Sequence, residues 1–266
     1  MLRLLLFSVI ILLVTLKLNA QENTLSKNVS TFTIDAPQLK TKKKIWLYLP
    51  EDYKTSKKKY PVIYMHDAQN LFDKKTSFVG EWNVDETLDS LKIQVIVVGI
   101  EHGNEKRLDE LTPFPNEKYG GGNGDAYLEF IVKTLKPHID SNYRTKIKAK
   151  NTIIFGSSLG GLISYYAVLK YPKVFGKAGV FSPSFRCTAR IYQMTEKTDK
   201  IKAKIYFLYG DKESDEMVAE VKKMETLLDR NRCYCLHLDK SVIVKEGEHN
   251  EKLWREGFAE AIKWLL

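Results

Sequence analysis

Five short stretches of nearly unbroken apolar character punctuate the chain: Pro61–Met65, Val95–Ile100, Thr152–Phe155, Ala178–Phe181 and Ile205–Tyr209. A strand that is apolar at every position, not at every second one, has to be buried on both faces. Between these runs lie segments with helical spacing: Val84–Leu91, Asp125–Leu135, Leu162–Tyr171, Glu216–Leu228 and Glu251–Leu266. Helices alternating with doubly buried strands specify an α/β fold, a mostly parallel central sheet with helices on both faces. Ahead of them, Val29–Ile34 alternates like a strand with one wet face, and Lys44–Leu49 follows it. This pair reads as antiparallel strands leading into the sheet. Ligand sites in such sheets form at the carboxyl ends of the strands, so functional residues are expected just after them.

The chain has 266 residues, 44% of them hydrophobic, enough for one sizeable core. It contains no internal repeat, low-complexity tract or long linker. Met1–Ala20 has the pattern of a signal peptide: Arg3, the apolar run Leu4–Leu16, then Leu18-Asn19-Ala20 before Gln21. Residues 21–266 are then a single secreted or periplasmic domain. The apolar run, closed by Lys17, is shorter than the ~20 residues a spanning helix needs, so no stable membrane span is expected after cleavage. Removing Arg3 and Lys17 lowers the net charge from +9 to +7.

The lysines cluster at Lys42–Lys44, Lys57–Lys59, and Lys200, Lys202 and Lys204 without interleaved arginines and aromatics. That pattern is solvated surface and argues against a nucleic-acid partner. Cys187, Cys233 and Cys235 permit one disulfide, between Cys187 and one of the other two, and leave a free thiol. Asn28-Val29-Ser30 is a glycosylation sequon only in a eukaryotic host. Tyr119-Gly120-Gly121-Gly122-Asn123-Gly124 neither follows a strand nor ends in Gly-Lys-Ser/Thr, so it reads as a surface loop before a helix capped by Asp125 and not as a phosphate loop.

The chemistry concentrates in Thr152-Ile153-Ile154-Phe155-Gly156-Ser157-Ser158-Leu159-Gly160-Gly161. A strand runs straight into Gly-x-Ser-x-Gly and a helix follows, the context of a nucleophile elbow centred on Ser158. A Cβ at Gly156 or Gly160 is expected to collide with the neighbouring strand and helix. A serine hydroxyl needs a base within hydrogen-bond reach. In elbow enzymes the chain order is serine, acid, histidine, which leaves His237 and His249. His237 alternates within the strand-like Cys233–Val244, whereas His249 lies in a loop before the final helix and is the expected base. The acid should follow Ile205–Tyr209, where Gly210-Asp211-Lys212-Glu213 offers Glu213 first and Asp211 second. Two backbone N–H groups must meet the oxyanion. Leu159 supplies one, and Ala68, in the loop Met65–Asp73 after an early strand, is the expected other. His66, Asp67 and Asp73 lack regular ligand spacing, so no metal is expected there.

With Phe181-Ser182-Pro183-Ser184-Phe185 and Gly247-Glu248-His249 added, these stretches resemble the Putative esterase family of α/β-hydrolases. Esterase D, enterochelin-esterase-like proteins, feruloyl and acetyl-xylan esterases and mycolyltransferases belong to it. The resemblance runs from about Thr31 to the end of the chain. It implies the α/β-hydrolase fold, Ser158 as nucleophile, His249 as base, Glu213 as acid in a Gly-x-x-Asp/Glu pattern, and Ala68 and Leu159 at the oxyanion. Asp67 departs from the glycine many relatives carry after the histidine. The likeness also marks Glu101, Arg107 and Glu110 on a loop expected to rim the pocket, with Arg107 orienting substrate or paired with Glu110. Trp82, Trp254 and Tyr119 can stack on a sugar or an aromatic acyl group, or serve packing alone. The reading is a secreted serine esterase without metal or organic cofactor, acting on carbohydrate-linked acetyl or feruloyl esters. Its alternatives are a siderophore-lactone esterase, a peptidase, and an exported binding protein that kept the fold.

Overall fold

The structure is a computed structural model that describes residues 23–231 and 238–266. The expected signal peptide, both cysteines of Cys233-Tyr234-Cys235 and His237 lie outside the described residues. In chain order the elements are β1 (Val29–Ala36), β2 (Thr41–Tyr48), β3 (Val62–His66), α1 (Val84–Ser90), β4 (Ile96–Ile100), α2 (Arg107–Leu111), α3 (Gly124–Phe130), α4 (Lys136–Asn142) and β5 (Thr152–Ser157). Then follow α5 (Leu159–Lys170), β6 (Lys177–Phe181), α6 (Arg190–Lys197), β7 (Lys204–Gly210), α7 (Met217–Arg230), β8 (Asp239–Val244) and α8 (Glu251–Leu265).

The strands form one sheet in the order β1-β2-β4-β3-β5-β6-β7-β8. β1 and β2 run antiparallel to each other, β2 runs antiparallel to β4, and every other pairing is parallel. The inner strands alternate their side chains between two cores. Along β3, Val62 and Tyr64 enter one, with Ile154, Phe207 and the inner faces of α3, α5 and α7. Ile63 and Met65 enter the other, with Phe155, Leu208 and the inner faces of α1 and α8. This two-sided burial is the physical origin of the unbroken apolar runs. The chain leaves β3 for β4 on one side and returns for β5 on the other. The carboxyl ends of β3 and β5 therefore meet at the topological switch point, where a crevice opens in sheets of this kind.

Three helical expectations change. The pattern at Asp125–Leu135 extends to Asn142, because a π turn at Ile131–Leu135 connects α3 to α4. Pro137 would collide with the carbonyl of Lys133 in an uninterrupted α-helix, and the wider turn accommodates it. Asp125 is not the cap: Asn123 stands at that position, and Asp125 accepts a hydrogen bond from the Tyr166 hydroxyl (2.7 Å) and pairs with Lys170. α2 and α6 had no counterpart among the expected helices. In the glycine loop, Gly120, Gly121 and Gly122 adopt φ of 77°, 84° and 103°. A Cβ at Gly121 would lie 2.1 Å from Thr112 Oγ1 at the end of α2 and one at Gly122 would lie 2.7 Å from the Pro115 nitrogen, so these two positions are held to glycine by close packing.

Candidate active site

β5 ends at Ser157, and the chain turns through Ser158 with φ 57° and ψ −120° before α5 begins at Leu159. A non-glycine residue held there costs on the order of 1–3 kcal/mol, so its surroundings must enforce it. The Ser158 N–H donates to the Phe181 carbonyl (2.9 Å), and the Ser158 carbonyl accepts from Leu162 and Ser184 (3.0 and 3.1 Å). Close packing tightens the turn. A Cβ at Gly156 would lie 2.8 Å from the Gly160 backbone, and one at Gly161 would lie 2.7 Å from the Phe181 carbonyl. At Gly160 the nearest atom would be 3.4 Å away, so the tight pair is Gly156 and Gly161 where Gly156 and Gly160 were expected.

His249 sits between β8 and α8, and its Nδ1 lies 2.7 Å from Glu213 Oε2. Glu213 follows β7, and its side chain is 1% exposed. Its Oε1 accepts from the Gly210 N–H (2.6 Å) and the Ser182 hydroxyl (2.7 Å). Ser182, at φ 42°, in turn accepts from Trp254 Nε1 (2.7 Å), and the Trp254 ring stands edge-on to His249 at 5.1 Å. Asp211 turns elsewhere and accepts from the Glu246 N–H (2.7 Å). Of the two candidate acids, the one that meets the imidazole is Glu213.

Ser158 and His249 border one cavity of about 330 Å³, together with Trp82, Trp254, Arg107 and Asp67. The Ser158 Oγ is 3.1 Å from Ser184 Oγ. A second cavity of about 450 Å³ opens on the Ser184 side, lined by Leu159, Tyr119, Asn116 and Arg186. Trp82 and Trp254 are nearly buried, pack against each other at 5.8 Å, and line the first cavity; Tyr119 lines the second.

The loop after β3 begins with Asp67 at φ 56° and continues as a 3₁₀ turn, Ala68–Asn70. Its first internal bond runs from the Asn70 N–H to the Asp67 carbonyl, so the Ala68 and Gln69 N–H groups precede that ladder. Ala68 is fully buried against Gly99, whereas Gln69 faces the cavity. Leu159, first residue of α5, likewise precedes its helix's bonds. Arg107 grips Asp67 with both ends of its fork (2.7 and 2.8 Å) and does not pair with Glu110. Burial alone would raise the Asp67 carboxyl, but the Arg107 hydrogen bonds and charge outweigh it and hold Asp67 below the usual carboxylate range. Glu110 instead forms a buried pair with Lys43 (2.5 Å), and Glu101 meets Lys44 and Trp46 Nε1. Both His66 nitrogens are engaged, Nδ1 by the Tyr127 hydroxyl (2.7 Å) and Nε2 by that of Ser164 (3.2 Å). Burial lowers its pKa to about 4, so it is a neutral core residue.

Four side chains at the site had no expected role: Ser182, Ser184, Asn70 and Glu251. Ser182 and Ser184 lie in the Phe181–Phe185 motif, directly after β6, and that position was the available signal. Glu251 lines the cavity, and burial raises its carboxyl above the usual range. Its place in the first turn of α8 gave no sign of this.

A family model described as Putative esterase matches residues 36–265. The chain is 29% identical over 242 residues to the uncharacterized protein YbbA of Bacillus subtilis (strain 168), covering 82% of this chain and 90% of that one. It is 30% identical over 142 residues to the ferri-bacillibactin esterase BesA of the same organism, covering 47% and 48%. A solved ferulic acid esterase shares the fold with a TM-score of 0.68 at 16% identity, covering 89% of this chain and 97% of that one.

Proposed function

The chain belongs to the Putative esterase family and is a carboxylic-ester hydrolase of the α/β-hydrolase fold; on that premise we propose that Ser158, His249 and Glu213 form a catalytic triad. The observation that carries this is the opening of the strained Ser158 turn and of His249, held from behind by Glu213, onto one cavity. Ser158 Oγ attacks the ester carbonyl and His249 takes its proton. The carbonyl oxygen becomes an oxyanion beside the Leu159 N–H and an N–H of the Ala68–Gln69 turn. The C–O bond then breaks, His249 protonates the departing alcohol, and the acyl group stays on Ser158. Water, giving a proton to His249, attacks the acyl-enzyme; the acyl C–Oγ bond breaks, His249 returns the proton to Ser158 Oγ, and the acid leaves. Glu213 accepts from Nδ1–H throughout, fixing the tautomer and stabilising the imidazolium.

The proposed substrate is an uncharged acyl ester on a carbohydrate, acetyl or feruloyl. Arg107 is neutralised by Asp67, so the first cavity offers aromatic rings and the amides of Gln69 and Asn70 without a free guanidinium. Trp82, Trp254 and Arg107 shape that cavity, and the second cavity across Ser184 gives room for the other half of the ester. Export is part of the same proposal and rests on the pattern of residues 1–20. Among the described residues, no helix is long and apolar enough to cross a membrane. A siderophore lactone is the second reading, favoured by the similarity to BesA.

Fluorophosphonate labelling followed by hydrolysis assays on feruloylated sugar, acetylated xylan and a siderophore lactone tests these statements. Ser158→Ala should abolish labelling and lower kcat by ~10⁴-fold or more. Retention of a tenth of wild-type activity would remove Ser158 from the mechanism, and no labelling of the wild type would favour a binding protein.

A further inference from the structure

We propose that a divalent cation of the calcium type binds where Glu81, Asp85 and Glu86 converge, behind the wall that carries Trp82. Each residue contributes one carboxylate oxygen, and the three atoms lie within 4.8 Å of one another. A cation with oxygen ligands at ~2.3–2.6 Å bridges oxygens up to about 5 Å apart, so one ion can touch all three. Glu81 and Asp85 are buried, and Asp85 is fully so.

The second observation is a pair of oxygens that nothing satisfies. Asp85 Oδ2 accepts from the Ser26 N–H (2.8 Å). Asp85 Oδ1 and Glu86 Oε2 are both shut off from solvent, without a hydrogen-bond donor among the described residues. Buried carboxylate oxygens are almost always paired; a shared proton can bridge Asp85 and Glu86, whereas a cation also engages the Glu81 oxygen that converges on them. Arg255 acts on the Glu81 carboxylate through its charge, while its Nη1 donates to the Glu81 carbonyl at 2.7 Å. The donors are oxygen only, which suits calcium or magnesium over zinc, and unevenly spaced carboxylates fit calcium's flexible shell better than magnesium's octahedron.

The position gives the ion a structural task. The Thr24 hydroxyl reaches both Glu81 oxygens (2.8 and 2.9 Å), so the segment before β1 closes over the cluster. Trp82 stacks on Phe181 at 5.8 Å and leans on Trp254, in the wall of the cavity that holds Ser158. A cation there would fasten the segment Thr24–Ser26, the turn at Glu81 and the start of α1 into one unit.

The test requires no turnover and is independent of the esterase reading. Calorimetric titration of the chelator-treated protein with CaCl₂ should show one site. If ~1 mM CaCl₂ is about a hundredfold above Kd, Tm should rise by about 5 °C. Asp85→Asn and Glu86→Gln should each reduce that rise to about 1 °C or less, while Ser158→Ala keeps it in full. Terbium in place of calcium should give tryptophan-sensitised luminescence that CaCl₂ quenches, a readout on the wild type alone. Absence of heat and of any shift in the wild type overturns the proposal, as does an equal shift in the Asp85 and Glu86 variants. A MgCl₂ shift as large as that with CaCl₂ overturns the choice of calcium.

Discussion

Two acids two residues apart occupy different worlds. Glu213 is sealed from solvent with both oxygens engaged, whereas Asp211 is exposed and holds a turn through the Glu246 N–H. Glu213→Gln should therefore lower kcat on a p-nitrophenyl ester by about 10²–10⁴, because the amide no longer fixes the imidazole tautomer. Asp211→Asn should stay within about threefold of wild type, and a larger loss there would exchange the two roles. Ser182 acts one step further back. It links Trp254 Nε1 to Glu213 Oε1, so Ser182→Ala frees the carboxylate and leaves the indole N–H without an acceptor. We expect kcat to fall by roughly 10-fold or more with KM little changed, and stability to fall by about 1–3 kcal/mol. Stopped assays and urea titrations on one variant separate these effects; a change in KM alone would deny Ser182 a positioning role. Sequence could order serine, acid and histidine, but which acid points inward depends on the fold of one turn. Nor could it pair Asp67 with Arg107, forty positions away.

At the scale of elements, what was legible is what burial writes into the residue pattern. β3, β4, β5, β6 and β7 all coincide with unbroken apolar runs, since each is covered on both faces. α6 escaped notice for the opposite reason: of its eight residues only Ile191 and Thr195 are buried, and a threonine at the inward position hides the stripe. The α3–α4 run appeared to stop because Pro137 normally ends a helix, and a π turn is invisible to a 3.6-residue period. The helix that follows Ser158, α5, offers an element-scale test. Its third residue, Gly161, sits so close to β6 that an added Cβ would lie 2.7 Å from a backbone carbonyl. Gly161→Ala should cost about 1–3 kcal/mol as α5 is pushed from the sheet. The same shift displaces the Leu159 N–H, so kcat should drop as well. Equal urea midpoints for variant and wild type would mean that the helix moves at no cost.

For the whole molecule, the junction of β3 and β5 serves as core and site together, which makes its ionisation a property of overall stability. His66 ends β3, is fully buried, and is held neutral between Tyr127 and Ser164. Burial lowers its pKa from 6.5 to about 4, the Arg107 charge pushes the same way, and Asp67 opposes both in part. In the unfolded chain the ring protonates at its ordinary value, so below pH 6.5 the unfolded state binds the extra proton. This contribution to stability is complete above about pH 6.5 and is lost progressively as pH falls toward 4. It amounts to about 3 kcal/mol in all, of which about 2 kcal/mol is gone by pH 5. Asp67, held below the usual range by Arg107, adds loss of the same sign at lower pH. Urea unfolding at pH 7 and pH 5 should therefore show a fall of about 2 kcal/mol beyond that of the surface groups. His66→Gln, which keeps a hydrogen-bonding side chain and cannot gain the proton, should flatten the slope between those values while lowering stability at pH 7. A variant as acid-sensitive as wild type would locate the buried titrating group elsewhere than at the end of β3.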